Sequence, residues 1–474
     1  MVGMTSTRTE PLVREDDIRT PPRGWDRRRW IGPGLVWMAA GAGGAGELLF
    51  PPRVGSLYGY AFLWALLLAV ALKFFVVREL GRLAIGTGEP LLEGMRRLPG
   101  PRNWAIWALL VPQLAVASAA IAGLAGSAAT AAAELTAGVS GGDASAAQGA
   151  SFAVKVWMPV LLALAVALVV WGRYGLLEKA ATILTTIVAL VAVVTAVSVL
   201  PDLGELAAGL RPQIPDDTDL QEIVPWLAFI LAGAAGLVWY SYWVAEREFG
   251  ASAVGERKDG AFTAEDFDEG AAKRLEGWTY QMSLDIGLGT LGGLVIVLSF
   301  LILGAELLAP EGVVPEDDQV APVLGRLLGG VWGPVGYWFM IGGVLIGFWT
   351  TVLTNADGWS RMFGNGVGIL AKQMGREGRL ADQTFLKRAA AIVLLGIVPA
   401  GLFLLRGEPV ILLQVAGIIE AIHIPFVAAV TLWINKTLLP APLRPGLVST
   451  GLTALAGLFF AGFAGVYFWT LATG

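Results

Sequence analysis

The sequence predicts an all-α integral membrane protein. Hydrophobic residues make up 55% of the chain and charged residues only 15%, whereas a soluble domain is about 25% charged. The mean hydropathy is +0.66. Apolar stretches of roughly 20 residues, the length of a membrane-spanning helix, recur along the chain. The lipid bilayer is therefore its first predicted partner.

Eleven apolar segments are long enough to span the bilayer. They are 32–50, 59–84, 103–136, 156–174, 180–200, 223–246, 281–308, 330–360, 387–405, 409–437 and 446–470. The segment 1–30 before them is polar and charged, so we predict a cytosolic tail there and not a signal peptide.

Lys and Arg predict the orientation, because cytosolic loops retain these residues. If the N-terminus is cytosolic, the tail alone contributes seven arginines to the inner side. The opposite loops then hold only Arg53, Lys155, Arg211, Arg326 and Arg406. An odd number of helices puts the C-terminus outside. We therefore predict a multi-pass protein of the plasma (inner) membrane with a cytoplasmic N-terminus.

Glycine-rich runs interrupt two predicted helices. "GAGGAG" occupies 41–46 in helix 1, and "AGAAG" occupies 232–236 in helix 6. Interruptions at corresponding positions of two halves are typical of transporters built from inverted repeats. The spacing predicts repeat 1 over 31–200 (helices 1–5), repeat 2 over 201–437 (helices 6–10), and helix 11 with the C-terminus over 438–474. The alternative is that the small residues only allow close helix packing.

The residue content excludes several chemistries. The chain has no Cys and a single His, His423, which excludes disulfides, thiolate ligands and sites of several histidines. We find no nucleophile paired with a base and no phosphate-binding loop. The sequence therefore predicts neither an enzyme nor a bound cofactor. It indicates no nucleic-acid partner and leaves the oligomeric state open.

Two stretches of the predicted helices 1 and 2 read "IGPGLVWMAAG" and "YGYAFLWALLLAVALKFFVVRELGRLAIGTGEPL". They resemble the Nramp family of divalent-metal transporters. The family's first helix opens with a similar Gly-Pro-Gly, and its second helix ends in Arg-Leu-Gly-x-x-Thr-Gly, which is similar to "RLAIGTG" here. The resemblance covers roughly 31–445. It implies a LeuT-type 5+5 inverted repeat, with broken helices 1 and 6 around a central site, and transport of a divalent cation by alternating access.

This chain departs from the family at the metal site. The family carries Asp-Pro-Gly-Asn in helix 1 and Met-Pro-His in helix 6. Here the first motif falls on Gly43 to Gly46, beside Glu47, and the second falls near "LVWYS" at 237–241. The loss of the soft Met thioether favours a hard or partly hydrated ion, similar to Mg²⁺ or Mn²⁺.

Proton coupling by the family's route is also unexpected. The acidic residues that line this route in helix 3 of the family fall on Gln113, Ala120 and Gly123 in this chain. An amide, a methyl group and a hydrogen cannot relay protons. Transport is then either uncoupled or coupled through another group.

These comparisons define a set of candidate binding residues. Glu47 is the predicted metal ligand, because a carboxylate beside an unwound helix can hold a cation together with exposed carbonyl oxygens. The full set for the substrate or ion is Gly43, Gly44, Glu47, Leu237, Trp239, Tyr240, Ser241, Asn355 and Gln414. Thr351 lies one turn from Asn355 and can face the same cavity.

Three further groups within predicted helices are candidates for coupling or ion pairing: Lys73, Glu420 and His423. Lys73 can pair with Glu47, stand in for a coupling cation, or extend to a membrane edge. Glu420 and His423 have i,i+3 spacing and can share a proton. The alternative for His423 is a simple packing role.

Two other functions compete with a cation carrier. One is transport of a small organic solute such as an amino acid, whose carboxylate would bind N–H groups at the helix-1 break. Its walls would be Trp239, Tyr240, Tyr242 and Trp243. The other is a non-transporting sensor or scaffold, which does not require two broken helices. Convergent oxygens around an ion-sized space favour a metal, and a larger aromatic cavity favours an organic ligand.

Overall fold

The computed structural model describes residues 12–34, 37, 44–137, 144–171, 175–254, 262–375, 378–380 and 382–473. Gly43, one of the candidate residues, lies outside this set. Over the described residues the chain is helical, and each of the eleven predicted segments contains a helix. The prediction of an all-α membrane fold is confirmed.

The helices are numbered by the segments they occupy. They are α1 (Ala45–Leu49 continuing as Phe50–Tyr58), α2 (Leu63–Thr87), α3 (Trp104–Ala137), α4 (Ala144–Trp171), α5 (Gly175–Ser198), α6a (Leu220–Phe229), α6b (Ala234–Glu246), α7 (Glu269–Leu303 continuing as Gly304–Leu308), α8 (Val320–Gln373), α9 (Gln383–Ile392 continuing to Arg406), α10 (Pro409–Leu438) and α11 (Leu447–Thr473). Short helical turns connect several of them.

Among the described residues, eight helical spans are long and apolar enough to cross a membrane. The other three segments fall short for identifiable reasons. Helix α1 is described from Ala45 onward, and the side chains of α5 are described only from Ile183 to Ser198. Helix α2 is long enough but carries four charged side chains, Lys73, Arg78, Glu79 and Arg82.

Two helices extend well beyond their predicted limits. Helix α7 begins at Glu269, ahead of the predicted 281, because Asp268 caps it by accepting a hydrogen bond from Ala271 N. Helix α8 covers Val320–Gln373 instead of 330–360, and Gly333, whose φ of 64° and ψ of −154° are not helical, divides it into two helical parts. Hydropathy missed these polar helix ends because it detects only the part of a helix that lies in hydrocarbon.

Helix 6 is broken between α6a and α6b, as the glycine pattern predicts. The interruption covers residues 230–233, which we call the helix-6 break. Leu231 adopts a left-handed conformation with φ of 63°, which is costly for a residue with a branched side chain. Gly233 is required for space, since a Cβ atom there would lie 2.8 Å from Glu420 Oε1.

The start of α1 packs against this break. Gly44 is extended, with φ of −87° and ψ of 178°, and the chain then enters a wide π-helical turn over Ala45–Leu49. A Cβ atom on Gly46 would lie 2.5 Å from Phe229 O, so only glycine allows α1 and the end of α6a to approach so closely. The start of α1 and the helix-6 break therefore meet in the interior.

Helices α3, α8 and α10 surround the meeting point. Helix α3 packs against α4, α8 and α10, while α10 also contacts α6a and α11, and α2 packs against α6b, α7 and α11. At the predicted inner end of helix 1, Asp285 of α7 accepts hydrogen bonds from Gly32 N at 2.8 Å and Gly34 N at 2.6 Å. These contacts fix the chain that leads into α1.

Candidate functional site

A cavity of about 70 Å³ lies where the start of α1 meets the helix-6 break. About 10–15 Å³ of such volume holds one water molecule, so the cavity has room for a cation together with several water molecules. We call it the central cavity. Its lining comprises Trp37, Gly44, Ala45, Gly46, Glu47, Ala120, Leu124, Phe229, Leu231, Ala232, Gly233, Ala235, Gly236, Trp239, Trp243, Thr351, Asn355, Trp359, Leu413 and Glu420.

Glu47 lies within the first turn of α1 and is 2% exposed. Its Oε1 accepts a hydrogen bond of 2.6 Å from the backbone N–H of Leu231 in the helix-6 break. The backbone N–H of Glu47 itself also bonds to this carboxylate. The side chain is thus held at the helix-6 break while it lines the central cavity.

Glu420 enters the central cavity from α10. Its Oε2 accepts hydrogen bonds from Ala234 N, the first residue of α6b, at 2.8 Å and from Gln113 Nε2 at 3.1 Å. The positive end of a helix dipole stabilises a carboxylate at such an N-terminus. The other oxygen, Oε1, lies against Gly233. Glu420, like Glu47, is thus bonded to backbone N–H groups at the helix-6 break.

Gln113 is held by three partners at once. Its Nε2 donates to Glu420 and lies 3.1 Å from His423 Nδ1, while its Oε1 accepts a 2.9 Å hydrogen bond from Trp359 Nε1. An amide group has two N–H donors and no proton to release. Gln113 therefore contacts both Glu420 and His423, and no hydrogen bond joins these two described side chains directly.

Lys73 approaches the helix-6 break from the opposite face. Lys73 is 0% exposed. Its Nζ donates hydrogen bonds to the carbonyl oxygens of Ala228, Ile230 and Ala232 at 2.6, 2.7 and 2.8 Å. Lys73 does not extend to a membrane edge. Both Lys73 and Glu47 are described, and no ion pair joins them. Of the three predicted alternatives, the geometry favours that of a stand-in cation.

A buried ion pair lies beyond the central cavity, towards the predicted outer side. Arg53 Nε and Nη2 donate to the two oxygens of Glu222 at 2.6 and 2.7 Å, and Nη1 donates to Pro315 O at 2.5 Å. Gln414 Nε2 donates to Glu222 Oε1 at 2.9 Å. Arg53 was expected in a loop, but it lies within α1 at 7% exposure because Glu222 neutralises it.

The remaining candidate residues divide between cavity and scaffold. Trp239 and Asn355 line the central cavity, together with Thr351. Gln414 does not line it and instead supports the Arg53–Glu222 pair. Residues 235, 236, 239 and 243 form one face of α6b, since a helix turns about 100° per residue. Of the other predicted residues of this helix, Leu237 and Ser241 therefore point away from the cavity and Tyr240 lies at the side of this face, and none of the three lines the cavity.

Their contacts agree with this scaffold position. Leu237 and Tyr240 are fully buried, and Tyr240 packs beside Gly81 of α2. Ser241 Oγ donates to Val238 O at 2.7 Å and accepts from Leu91 N at 3.3 Å. Alignment to a family motif could not reveal this, because the motif fixes sequence positions and not the rotation of α6b after the break.

A second, larger cavity opens on the predicted inner side. It has a volume of about 1200 Å³, and we call it the vestibule. Its charged lining residues are Glu89, Glu93, Arg96, Arg97, Arg361, Lys372 and Lys387. Glu89 pairs with Arg97 at 3.1 Å. Burial raises the pKa of Glu89, and the positive charge of Arg97 opposes this rise.

No three His, Cys, Asp or Glu side chains gather into a metal-binding group in the described part of the chain. A cation between Glu47 and Glu420 would therefore need neutral oxygens or water to complete its shell. Asn355 and Thr351 offer such oxygens on the α8 side of the central cavity. Carboxylate, amide, hydroxyl and water oxygens are ligands that hard divalent cations accept.

Comparisons with solved structures agree with the fold. The manganese transporter of Eremococcus coleocola, in complex with an aromatic bis-isothiourea substituted compound, matches with a TM-score of 0.64 at 12% identity, over 98% of this chain and 90% of that chain. Mhp1, a nucleobase-cation-symport-1 family transporter, matches with a TM-score of 0.50 at 16% identity, over 94% of this chain and 93% of that chain.

Sequence comparison identifies the family. A divalent metal cation transporter, MntH, of Chromohalobacter salexigens is 29% identical over 109 residues, which are 22% of this chain and 25% of that protein. The family model for natural resistance-associated macrophage protein-like sequences, Nramp, matches residues 35–473. Because this match extends over nearly the whole chain, the protein belongs to the Nramp family.

Proposed function

We propose that the protein transports a divalent cation, hard or partly hydrated like Mg²⁺ or Mn²⁺, which binds between Glu47 and Glu420. The observation that carries this proposal is that both carboxylates line one cavity with room for a hydrated cation. Glu47 accepts the N–H of Leu231 and Glu420 accepts the N–H of Ala234, so both carboxylates are held at the helix-6 break beside this cavity. Family membership and the transporters of the same fold support the same function.

The charge count supports a cation as the ligand. Glu47 and Glu420 carry two formal negative charges, and Lys73 on the other face of the break carries one positive charge. Charges within a membrane are costly unless they are compensated. A bound cation would offset the remaining negative charge of the central cavity.

The two ends of the pathway support alternating access. The Arg53–Glu222 pair closes the predicted outer side, while the vestibule of about 1200 Å³ opens on the other side. The proposed cycle breaks this pair and closes the vestibule, so that Glu47 and Glu420 become accessible from the outside. The vestibule then faces the cytoplasm of a protein in the plasma membrane.

We further propose that the cation does not move with a proton through helix 3 or helix 10. Gln113 hydrogen-bonds to Glu420 and Trp359 and contacts His423. Among the described residues, the side-chain connection between Glu420 and His423 therefore passes through an amide, which cannot relay a proton. A carrier of this kind takes up its cation down the cation's own gradient.

A small organic solute is the second candidate, because four tryptophans line the central cavity: Trp37, Trp239, Trp243 and Trp359. The electrostatics oppose an amino acid, however. Its carboxylate would meet Glu47 and Glu420, and the N–H groups of Leu231 and Ala234 are already bonded to these side chains.

Uptake into liposomes tests the proposal. Purified wild-type protein should take up Mn²⁺ or Mg²⁺ without an imposed pH gradient, and Glu47→Gln and Glu420→Gln should each lose at least about tenfold of that rate, equal to about 1.4 kcal/mol. Glu306→Gln, a helix carboxylate that lines a different pocket, is the matched control. If folded wild-type protein moves no divalent cation, the proposal is wrong.

A further inference from the structure

The ammonium group of Lys73 occupies a site of the kind that usually binds a free cation. Its three N–H donors match the three carbonyl oxygens of Ala228, Ile230 and Ala232 at 2.6–2.8 Å. An ammonium has three donors and no acceptor, so all of its hydrogen-bonding capacity is used. The side chain is therefore held in one position.

The three carbonyls come from the C-terminal end of α6a and from the helix-6 break. The C-terminal end of a helix carries partial negative charge, and its last carbonyls have no partner within the helix. In transporters with broken helices, such carbonyls coordinate coupling ions such as Na⁺. Here the chain supplies the positive charge itself.

The surroundings of Nζ keep this charge in place. The residue is 0% exposed, and the ring of Phe460 from α11 lies 5.3 Å from Nζ, within the range of a cation–π contact. The carboxylates of Glu47 and Glu420 lie on the other face of the break and bond its N–H groups instead. Lys73 thus binds the carbonyl oxygens directly, and its charge also acts on Glu47 and Glu420 across the break.

We propose that Lys73 is a tethered cation that replaces a dissociable monovalent coupling ion at the carbonyls of Ala228, Ile230 and Ala232. An ion that is part of the chain cannot be released into the cytoplasm. Gradients of Na⁺ or K⁺ therefore cannot drive the conformational cycle through this site. The consequence for ion coupling rests on the proposed transport function. Whether the Lys73 ammonium fills a cation site at the three carbonyl oxygens can be tested without measuring transport.

Removal of the side chain tests the occupancy. Lys73→Ala leaves three carbonyls without their donor and a space where the ammonium was, so the variant should unfold at a lower temperature than wild type. Na⁺, K⁺ or methylammonium should then raise its Tm saturably, by about 3 °C or more. In the wild type, exchange of these ions for N-methyl-D-glucamine should leave the Tm unchanged.

Two variants separate this role from simple packing. Lys73→Met fills most of the space without a charge, so its Tm should be lowered and should not respond to cations. Lys155→Ala, which removes a lysine from α4, should behave as wild type in every buffer. If the cations stabilise Lys73→Ala and Lys73→Met equally, or neither of them, Lys73 does not replace an ion and the inference is wrong.

Transport provides the second readout. Divalent-cation uptake by the wild type should be equal in Na⁺, K⁺ and N-methyl-D-glucamine buffers, and a requirement for Na⁺ or K⁺ would overturn the inference. If the protein transports no divalent cation at all, the proposed function fails, while the Tm measurements still decide whether Lys73 fills a cation site.

Discussion

The two faces of the helix-6 break are stabilised in opposite ways. On the carbonyl face, one ammonium group from Lys73 binds three backbone oxygens. On the N–H face, Glu47 and Glu420 accept from Leu231 N and Ala234 N and also line the central cavity. Unsatisfied backbone groups are costly in a membrane, and each face meets this cost with side chains of the opposite charge.

The difference lies in what each face leaves for a ligand. The ammonium of Lys73 has no donor left and is fully buried. The carboxylates line the central cavity, where a ligand can reach them. The carbonyl face is therefore a finished part of the structure, whereas the N–H face is the proposed binding site for cations. In this proposal the break is asymmetric, with one resident charge and one exchangeable charge.

Both faces of the helix-6 break depend on the position of α6a. The largest loss of stability should therefore follow from disruption of the Arg53–Glu222 ion pair, which holds α6a. In Arg53→Met, the carboxylate of Glu222 would remain buried with only Gln414 as a described partner. Removal of one partner of a buried ion pair costs about 3–5 kcal/mol. Thermal unfolding of the purified variant should show a correspondingly large drop in stability.

The double variant Arg53→Met, Glu222→Leu is the control for that measurement. Replacement of both charges by apolar groups removes the uncompensated charge, so most of the lost stability should return. If the double variant is as unstable as the single one, packing around Arg53 and not the ion pair holds α6a.

A smaller loss of stability should follow from substitution of Gln113, which donates a hydrogen bond to Glu420. Gln113→Leu removes a donor to Glu420 and the acceptor of Trp359 Nε1. A buried polar group left without its partner costs about 1–3 kcal/mol, and the apparent affinity for the transported cation should change because Glu420 is no longer held.

Trp359→Phe is the matched variant for this experiment, since it removes only the hydrogen bond to Gln113 Oε1 and should cost about 1 kcal/mol. Unfolding and cation titrations of both variants provide the comparison. An unchanged cation affinity in Gln113→Leu would show that Gln113 does not position Glu420.

The smallest change in stability is expected for Glu89, a carboxylate outside the membrane-spanning helices. Burial raises the pKa of Glu89 above its ordinary value of 4.5. The folded protein then binds this proton more tightly than the unfolded chain does, so stability from this group falls as the pH rises from 4.5 through the raised pKa. Glu89→Gln should remove that part of the pH dependence, by less than about 1 kcal/mol because the side chain is partly solvated.

Measurement of the Tm of wild type and Glu89→Gln across this pH range tests the prediction. The two curves should approach each other at acidic pH and separate in favour of the variant at neutral pH. Parallel curves would mean that the ion pair with Arg97 fully compensates the burial of Glu89.

Local sequence predicted the helices and the break of helix 6 because both depend on nearby residues. Apolar runs of sufficient length and glycines such as Gly233 have direct structural consequences. The repeat boundaries at 31–200 and 201–437 remain predictions. The partners of charged residues were not predictable, since Lys73 binds carbonyls more than 150 residues away and Arg53 binds Glu222 at a separation of 169 residues.

The candidate site was predictable only in part for the same reason. Glu47 and Asn355 were selected by local features, a glycine-rich run and helical spacing, and both line the central cavity. Tyr240 and Ser241 were selected by alignment to a motif whose residues are absent. The rotation of α6b depends on the backbone of the helix-6 break, including the left-handed Leu231, and a motif does not contain this information.

Anomalous diffraction from crystals grown with Mn²⁺ tests the asymmetry of the break most directly, because it locates the metal independently of transport. The account predicts one anomalous peak in the central cavity, within coordination distance of Glu47 and Glu420, with Lys73 still bonded to Ala228, Ile230 and Ala232. A peak at those three carbonyls with Lys73 displaced, or no peak in the cavity at saturating Mn²⁺, would contradict it.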